Sequence, residues 1–407
     1  SCPSDNCPES YLAGQARGRR AEGGLDRSST AHCTTVNMPR WRHHQACIYF
    51  VSCLCAFVLI FKWASSALGA NNLKLFQALS IHPKDVVALV GGGGKTSAMF
   101  RLGDELAALG WRVVLTTSTH IGAEQVACAR HATTLPTQSP FAPRRQLLTH
   151  SPTLLVGPVD PLTQKAAGLS PGLIDDIANT PGVDTVINEA DGARTLPFKA
   201  PAGHEPVLPS STTLVVPVVG IDAVGQPLDA AHVHRPERVA ALTGAMPGQP
   251  ITAEHIAAVL SHAQGGLKDV PSHARVRVLV NKVESAAQAE TAHRLARLLL
   301  QTPRIDAVAF GAVQRDDPVR ALQSRVAVVV LAAGESRRFG RLKQLQPWGD
   351  GEGTLLSHAV DVALASQAHQ VVVVLGYKAE ECRAVLGDRI LSSSKGRPAM
   401  IATNPNW

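Results

Sequence analysis

The sequence predicts an α/β protein: a phosphate-loop-type domain built on a mostly parallel sheet, followed by a second, shorter α/β part. Three observations predict it. Runs rich in Val, Leu and Ile recur at 86–90, 112–115, 153–156, 183–188, 214–219 and 276–280, with helical spacing at 96–109, 236–242, 253–261 and 285–301 between them. Such alternation argues for parallel pairing with helices on both faces. The first run enters Gly91-Gly92-Gly93-Gly94-Lys95-Thr96, a glycine turn that opens into helical spacing. A new apolar run begins at 326, after residues 316–323, which read as a short junction.

Length and composition narrow the field. A chain of 407 residues accommodates two or three domains with real cores. The net charge of +7 is unevenly spread, since residues 1–70 hold seven Lys/Arg against four acids. No basic run with interleaved aromatics follows, which argues against nucleic acid as a partner. Cys2, Cys7, Cys33, Cys47, Cys53 and Cys55 crowd the first segment, leaving Cys128 and Cys382 for the rest. Two isolated thiols, without paired metal spacing, suit a reducing, cytoplasmic setting.

Residues 1–45 are polar, rich in Gly, Ser and Arg, and without period; they read as disordered. Residues 46–61 are almost wholly apolar, with Arg40 and Arg42 before them and Lys62 after. The run falls short of the ~20 residues of a spanning helix, and it also has the shape of a signal peptide. Export would separate a phosphate-loop protein from its nucleotide. The expected protein is therefore cytoplasmic and its working part begins near Asn71, with 1–70 open as translated sequence from outside the true start; a tether through 46–61 is the minor alternative.

At the glycine turn, residues without Cβ let the chain bend and bring amides close to an anion. Gly91, Gly93 and Gly94 are the candidate contacts. The helix N-terminus adds partial positive charge, Lys95 can bridge phosphates, and the Thr96 hydroxyl can hold Mg²⁺. The expected ligand is ATP or GTP. Leu89 stands where the usual spacing wants a glycine, so a merely flexible turn is the alternative.

Four polar clusters follow strands, where ligands sit in open parallel sheets. Thr116-Thr117-Ser118-Thr119-His120 is a hydroxyl row ending in a candidate substrate residue, His120. Glu189 and Asp191, at the mouth of a buried strand, are candidates for Mg²⁺ binding and water polarisation, against a reading as capping acids. The proline loop 197–206 carries Lys199, His204 and Glu205, as a substrate clamp or a surface excursion. Asn281-Lys282-Val283-Glu284 is close to the Asn-Lys-x-Asp of guanine readers, but the longer Glu284 makes base selectivity open.

Taken together, Gly91 to Thr96, residues 116–121, Glu189-Ala190-Asp191-Gly192, Lys199-Ala200-Pro201, His204-Glu205-Pro206 and Asn281-Lys282 resemble the YqeC accessory proteins over about 71–322. That resemblance implies nucleotide binding and a place in the maturation of selenium-dependent molybdenum hydroxylases, with a hydroxylase apoenzyme as partner.

The later run 326–331 leads into Leu331-Ala332-Ala333-Gly334-Glu335-Ser336-Arg337-Arg338-Phe339-Gly340-Arg341-Leu342-Lys343. Small residues at Ala332, Ala333 and Gly334 let the backbone approach a triphosphate, and Arg338 and Lys343 can neutralise departing pyrophosphate. A helix from about Thr354 leads to a second parallel strand at 371–375. The pattern, with Leu331, Ser336 and Gly340 in place, resembles the MobA/MocA nucleotidyltransferases. It implies attack of a molybdopterin-type phosphate on CTP or GTP, with Mg²⁺, in a Rossmann-like domain. The match covers 326–407, about half of such a domain, so it reads as truncated. The metal-binding aspartates of those enzymes would lie further on, and Asp361 and Asp388 sit in the wrong context to replace them.

The leading expectation is an enzyme-class fusion in molybdenum-cofactor maturation. Its rival is a non-catalytic, nucleotide-gated carrier or chaperone for cofactor insertion.

Overall fold

The computed structural model describes residues 47–53, 56–62, 73–135, 149–349, 353–366, 368–391 and 399–406, with side chains from residue 73 onward, Asp388 and Leu391 apart. The disorder expected for 1–45 lies outside them.

The main domain is organised on a nine-stranded sheet. From one edge its strands run Val319–Ser324, Ala307–Gly311, Arg275–Asn281, Leu214–Gly220, Val86–Gly91, Thr185–Glu189, Val113–Thr117, Thr153–Val156 and Ala132–Thr134. All pairings are parallel except that of Val319–Ser324 with Ala307–Gly311. The two strands that flank Val86–Gly91 are buried along their whole length, as expected when helices cover both faces.

Alternate residues assign the faces. Leu279 joins one cluster with Met99, Leu102 and Leu106 of the helix Lys95–Ala107. Val278 and Val280 join the other, against Ile256 and Leu260 of Ala253–Ser261 and Leu295 and Leu299 of Ala286–Leu299. Each core side chain buried this way contributes roughly 1.5–3 kcal/mol.

The site's position follows from the connections. From Val86–Gly91 the chain crosses through the helix to Val113–Thr117, returns to Thr185–Glu189 beside the first strand, and then passes to Leu214–Gly220 on its other side. Loops leaving the carboxyl ends therefore diverge around Gly91, and such a switch point opens a crevice.

The second sheet runs Cys47–Cys53, Ala56–Lys62, Ala327–Ala332, Gln370–Leu375 and Met400–Thr403. Its last three strands are parallel, and Thr354 caps the helix Leu355–Ala365 that links two of them, as the spacing predicted.

Two expectations change. Within the apolar stretch, Cys47–Cys53 and Ala56–Lys62 pair antiparallel, and Ala56–Lys62 pairs with Ala327–Ala332, Leu59 opposite Val329. Its β-branched and aromatic content favours strands, and its length is too small for a span. Among the described residues no helix is long and apolar enough to cross a membrane. The junction expected at 316–323 is largely the edge strand Val319–Ser324, with Val319 and Leu322 buried, so the passage narrows to Arg325 and Val326. The strand Ala307–Gly311 and the helix Pro171–Ala178, whose Ser170 accepts from the Leu173 amide, escaped the sequence reading.

Candidate functional site

The glycine turn is shaped by what packs against it. Gly91, Gly93 and Gly94 have φ of +95°, +79° and +115°, where side chains are strained. A Cβ on Gly93 would lie 2.1 Å from the Gly220 nitrogen, and one on Gly92 would lie 2.6 Å from the Leu196 oxygen. The turn's first amides are already used. Gly91 donates to both Asp191 oxygens (3.1 and 3.0 Å), Gly92 to the Val218 carbonyl (2.9 Å) and Gly93 to the Leu196 carbonyl (3.0 Å). Among the described residues no acceptor meets the amides of Lys95, Thr96 and Ser97, which open the helix Lys95–Ala107 without a side-chain cap. Of the expected contacts, the amides of Gly91 and Gly93 are thus engaged within the protein, while those at the helix start are not.

Asn281 is tied to the glycine turn. Its Nδ2 donates to the Gly93 carbonyl (2.8 Å) and its Oδ1 accepts from the Val313 amide (3.0 Å), so it braces the turn. Neighbouring Lys282, at φ +64°, pairs with Asp222 at 2.7 Å.

Below the turn lies a buried chain of alternating charge. The Lys95 ammonium donates to the Gly91 carbonyl (2.6 Å) and sits 3.3 Å from Asp191 and 3.6 Å from Glu189. Burial alone would lower its pKa, but the two carboxylates outweigh burial and the pKa is raised. Asp191 also meets Lys199 at 3.0 Å, Lys199 meets Glu205 at 2.6 Å, and Arg235 grips Glu205 at 2.8 and 3.2 Å. Burial pushes the Glu205 carboxyl up, yet Arg235 and Lys199 bring it down to about 2. Burial, then the charges of Arg235, Lys199 and Arg194, bring the nearby His234 down to about 4, so it is neutral at ordinary pH.

Glu189 stands apart. Burial raises its pKa against the opposing pull of Lys95 and Thr96, and its Oε2 accepts from the Thr96 hydroxyl at 2.8 Å. Thr96 and Glu189 supply two adjacent oxygens of the kind Mg²⁺ takes when waters and phosphate complete its shell. Asp191 does not fit that role: it is 2 % exposed, and both its oxygens face cations or an amide. Among the described residues no group of three or more His, Cys, Asp and Glu could hold a metal by itself.

An open cleft of about 1460 Å³ collects much of this chemistry. Gly93, Gly94, Lys95, Thr96, His120, Glu189, His204, Glu205 and Lys282 line it. Gly91, Asp191 and Lys199 instead border a small cavity of about 20 Å³ that does not include the helix start. Lys199 is 3 % exposed and buried among carboxylates, so it braces the proline loop rather than projecting from it as a clamp. The hydroxyl row divides similarly. Thr116 and Thr117 donate to the carbonyls of Leu155 and Glu189, while Thr119 and His120 reach the cleft.

Gln125, Arg194, His234 and Arg235 also line the cleft and were not singled out by sequence. Arg235 had a local signal: it precedes Pro236 at a helix start, at φ +66°. Gln125 donates to the Thr96 hydroxyl at 3.4 Å, a contact nothing local announces.

In the second domain the segment after Ala332 is tied by one buried amide. Gln344 donates to the carbonyls of Ala332 (3.1 Å) and Gly334 (2.7 Å) and accepts from Ser336 at 3.0 Å. Ser336 and Gly340, at φ +59° and +69°, turn the chain so that Arg338 is exposed and Lys343 half-buried. Ala333 is half-buried and Leu331 is 40 % exposed. Asp361 pairs with Arg389 at 2.6 and 2.8 Å.

Comparison with known proteins adds identity to this geometry. The profile described as YqeC protein matches residues 87–237, and that of the MobA-like NTP transferase domain matches residues 328–401. The chain is 34 % identical over 235 residues to a protein of Escherichia coli (strain K12) described as "Uncharacterized protein YqeC", covering 56 % of this chain and 88 % of that one. No solved structure matches. The glycine turn, the charged chain beneath it and most of the cleft's lining fall within the first match, and the Gln344-braced segment within the second. The chain therefore belongs to the YqeC family, its YqeC domain fused to a MobA-like NTP-transferase domain.

Proposed function

We propose that this fusion is a nucleotide-binding accessory protein of molybdenum-cofactor maturation, acting on selenium-dependent hydroxylases. In this reading the main domain is of the phosphate-loop type and seats the triphosphate of ATP or GTP. The amides of Lys95, Thr96 and Ser97 and the Lys95 ammonium would face the β- and γ-phosphates. Thr96 and Glu189 would hold Mg²⁺, which supplies charge neutralisation when bound. The observation that carries the reading is the undischarged start of the helix Lys95–Ala107 in a cleft whose buried carboxylate already accepts from Thr96. For the second domain, Arg338 and Lys343 would grip the phosphates of CTP or GTP beside Ala332, Ala333 and Gly334, for transfer to a molybdopterin-type acceptor.

A second reading is a nucleotide-gated carrier or chaperone that binds without turnover. It is favoured by the engagement of Asp191 with Lys95 and Lys199, which leaves Glu189 as the carboxylate that accepts from Thr96. Phosphate release from ATP and GTP separates the two. Turnover that falls at least tenfold in Glu189→Gln supports an NTPase; tight binding with no release in the wild type supports the carrier. Absence of any nucleotide binding overturns both.

A further inference from the structure

The cleft's lining carries charges beyond those paired along the buried chain, among them Glu124, Asp160, Lys165 and Arg194. Along the buried chain, Lys95, Lys199 and Arg235 each sit against a carboxylate. Arg194 also lines the cleft, but no carboxylate among the described residues pairs with it. Its backbone is committed: Arg194 and Thr195 take φ of +49° and +63° in succession, a conformation side chains avoid. The residues around them are tied down, with Leu196 donating to the Ala193 carbonyl and accepting from Gly93. The turn that shapes the glycine loop therefore also fixes where Arg194 leaves the chain.

We propose that the part of the cleft lined by Arg194, His234 and Arg235 is a second binding site, for a small molecule bearing an oxyanion (phosphate or carboxylate), bound beside the nucleotide. This rests on the reading that the glycine loop holds the nucleotide. Three further observations support it. A guanidinium presents a planar fork that matches such an oxyanion, and Arg235 is already committed to Glu205, leaving Arg194 as the donor. His234, kept neutral by burial and the surrounding cations, adds a hydrogen-bonding ring rather than a competing charge. The cleft's volume of about 1460 Å³ exceeds the roughly 300–1,000 Å³ of a site for one small ligand.

The test is calorimetric titration of the full chain with inorganic phosphate and, separately, acetate, at saturating nucleotide and Mg²⁺. The proposal predicts one oxyanion equivalent beyond the nucleotide. Arg194→Gln weakens it at least tenfold and leaves nucleotide affinity within twofold, and Arg194→Lys falls between. The stronger of the two anions names the oxyanion. Because Arg194 is exposed, unchanged melting of the variant checks its fold. Equal anion binding by wild type and Arg194→Gln overturns the proposal. So does a loss of nucleotide affinity without a separate anion equivalent, which would make Arg194 part of the nucleotide site. Should no nucleotide bind, the same titration without it still compares the two proteins: Arg194-dependent binding would uphold the anion site while the nucleotide reading failed.

Discussion

Asp191 accepts the Gly91 amide on both carboxylate oxygens, at 3.1 and 3.0 Å, while Lys95 stands 3.3 Å from one of them. One side chain thus fixes the entrance of the glycine turn and the ammonium at its exit. Removing a partner from a buried pair of this kind leaves an uncompensated charge, which costs about 3–5 kcal/mol. Lys199 also loses a partner in Asp191→Asn. The variant is expected to lose about 3 kcal/mol in urea denaturation, and a loss below about 1 kcal/mol would show that the chain of charges is not structural.

Glycine matters at position 93 for two reasons, a φ of +79° and contact with the Gly220 backbone. Gly110 has a similar φ of +83° but nothing within 4 Å of its missing Cβ. Gly110→Ala should therefore cost about 1 kcal/mol from backbone strain alone. Gly93→Ala adds overpacking against a rigid strand and should cost about 3 kcal/mol or more. Denaturation midpoints of the two variants check the difference; equal costs would contradict the packing shown.

Acid sensitivity should come in two stages. His234 titrates near 4 when folded and near 6.5 when unfolded, so the unfolded chain binds the proton first and stability falls from about pH 6.5 toward 4. Glu205 titrates near 2 when folded against 4.5 unfolded, so its contribution is present above 4.5 and lost as pH falls toward 2. Glu189, pushed up by burial, acts with the opposite sign as pH rises through its unfolded value of 4.5. The difference between wild type and His234→Asn therefore carries the test. The wild type should lose more stability than the variant between pH 6.5 and 5, and parallel curves would contradict the assignment.

Gln344 braces the segment that carries Arg338 and Lys343. Gln344→Leu leaves the Ala332 and Gly334 carbonyls without this donor and should destabilise the second domain by about 1–3 kcal/mol. Trypsin should then cut sooner after Arg337, Arg338 and Arg341. Unchanged cleavage rates would mean the amide does not hold the segment.

The sequence made the local chemistry legible and the assembled chemistry much less so. Residues 86–96 announce strand, glycine turn and helix because each depends on its immediate neighbours. Asp191 looked like a second metal ligand because adjacency to Glu189 is visible and the approach of Lys199 is not. Arg194, His234 and Arg235 reach one cleft only through the crossovers that place Thr185–Glu189 and Leu214–Gly220 on either side of Val86–Gly91. The strands Cys47–Cys53 and Ala56–Lys62 were hidden for another reason: a continuous apolar run has no period, and the pairing of Ala56–Lys62 with Ala327–Ala332 spans most of the chain.

On the function proposed above, the helix start at Lys95, Thr96 and Ser97 seats a nucleotide's phosphates. Equilibrium titration of the full chain with ATP and GTP in Mg²⁺, for wild type and Lys95→Ala, tests it most directly. Binding should be at least tenfold tighter for a triphosphate than for its monophosphate, with a loss of about 10- to 100-fold in the variant, as expected when charge-assisted hydrogen bonds go. Equal affinity for tri- and monophosphate, or a variant that binds like the wild type, would contradict it.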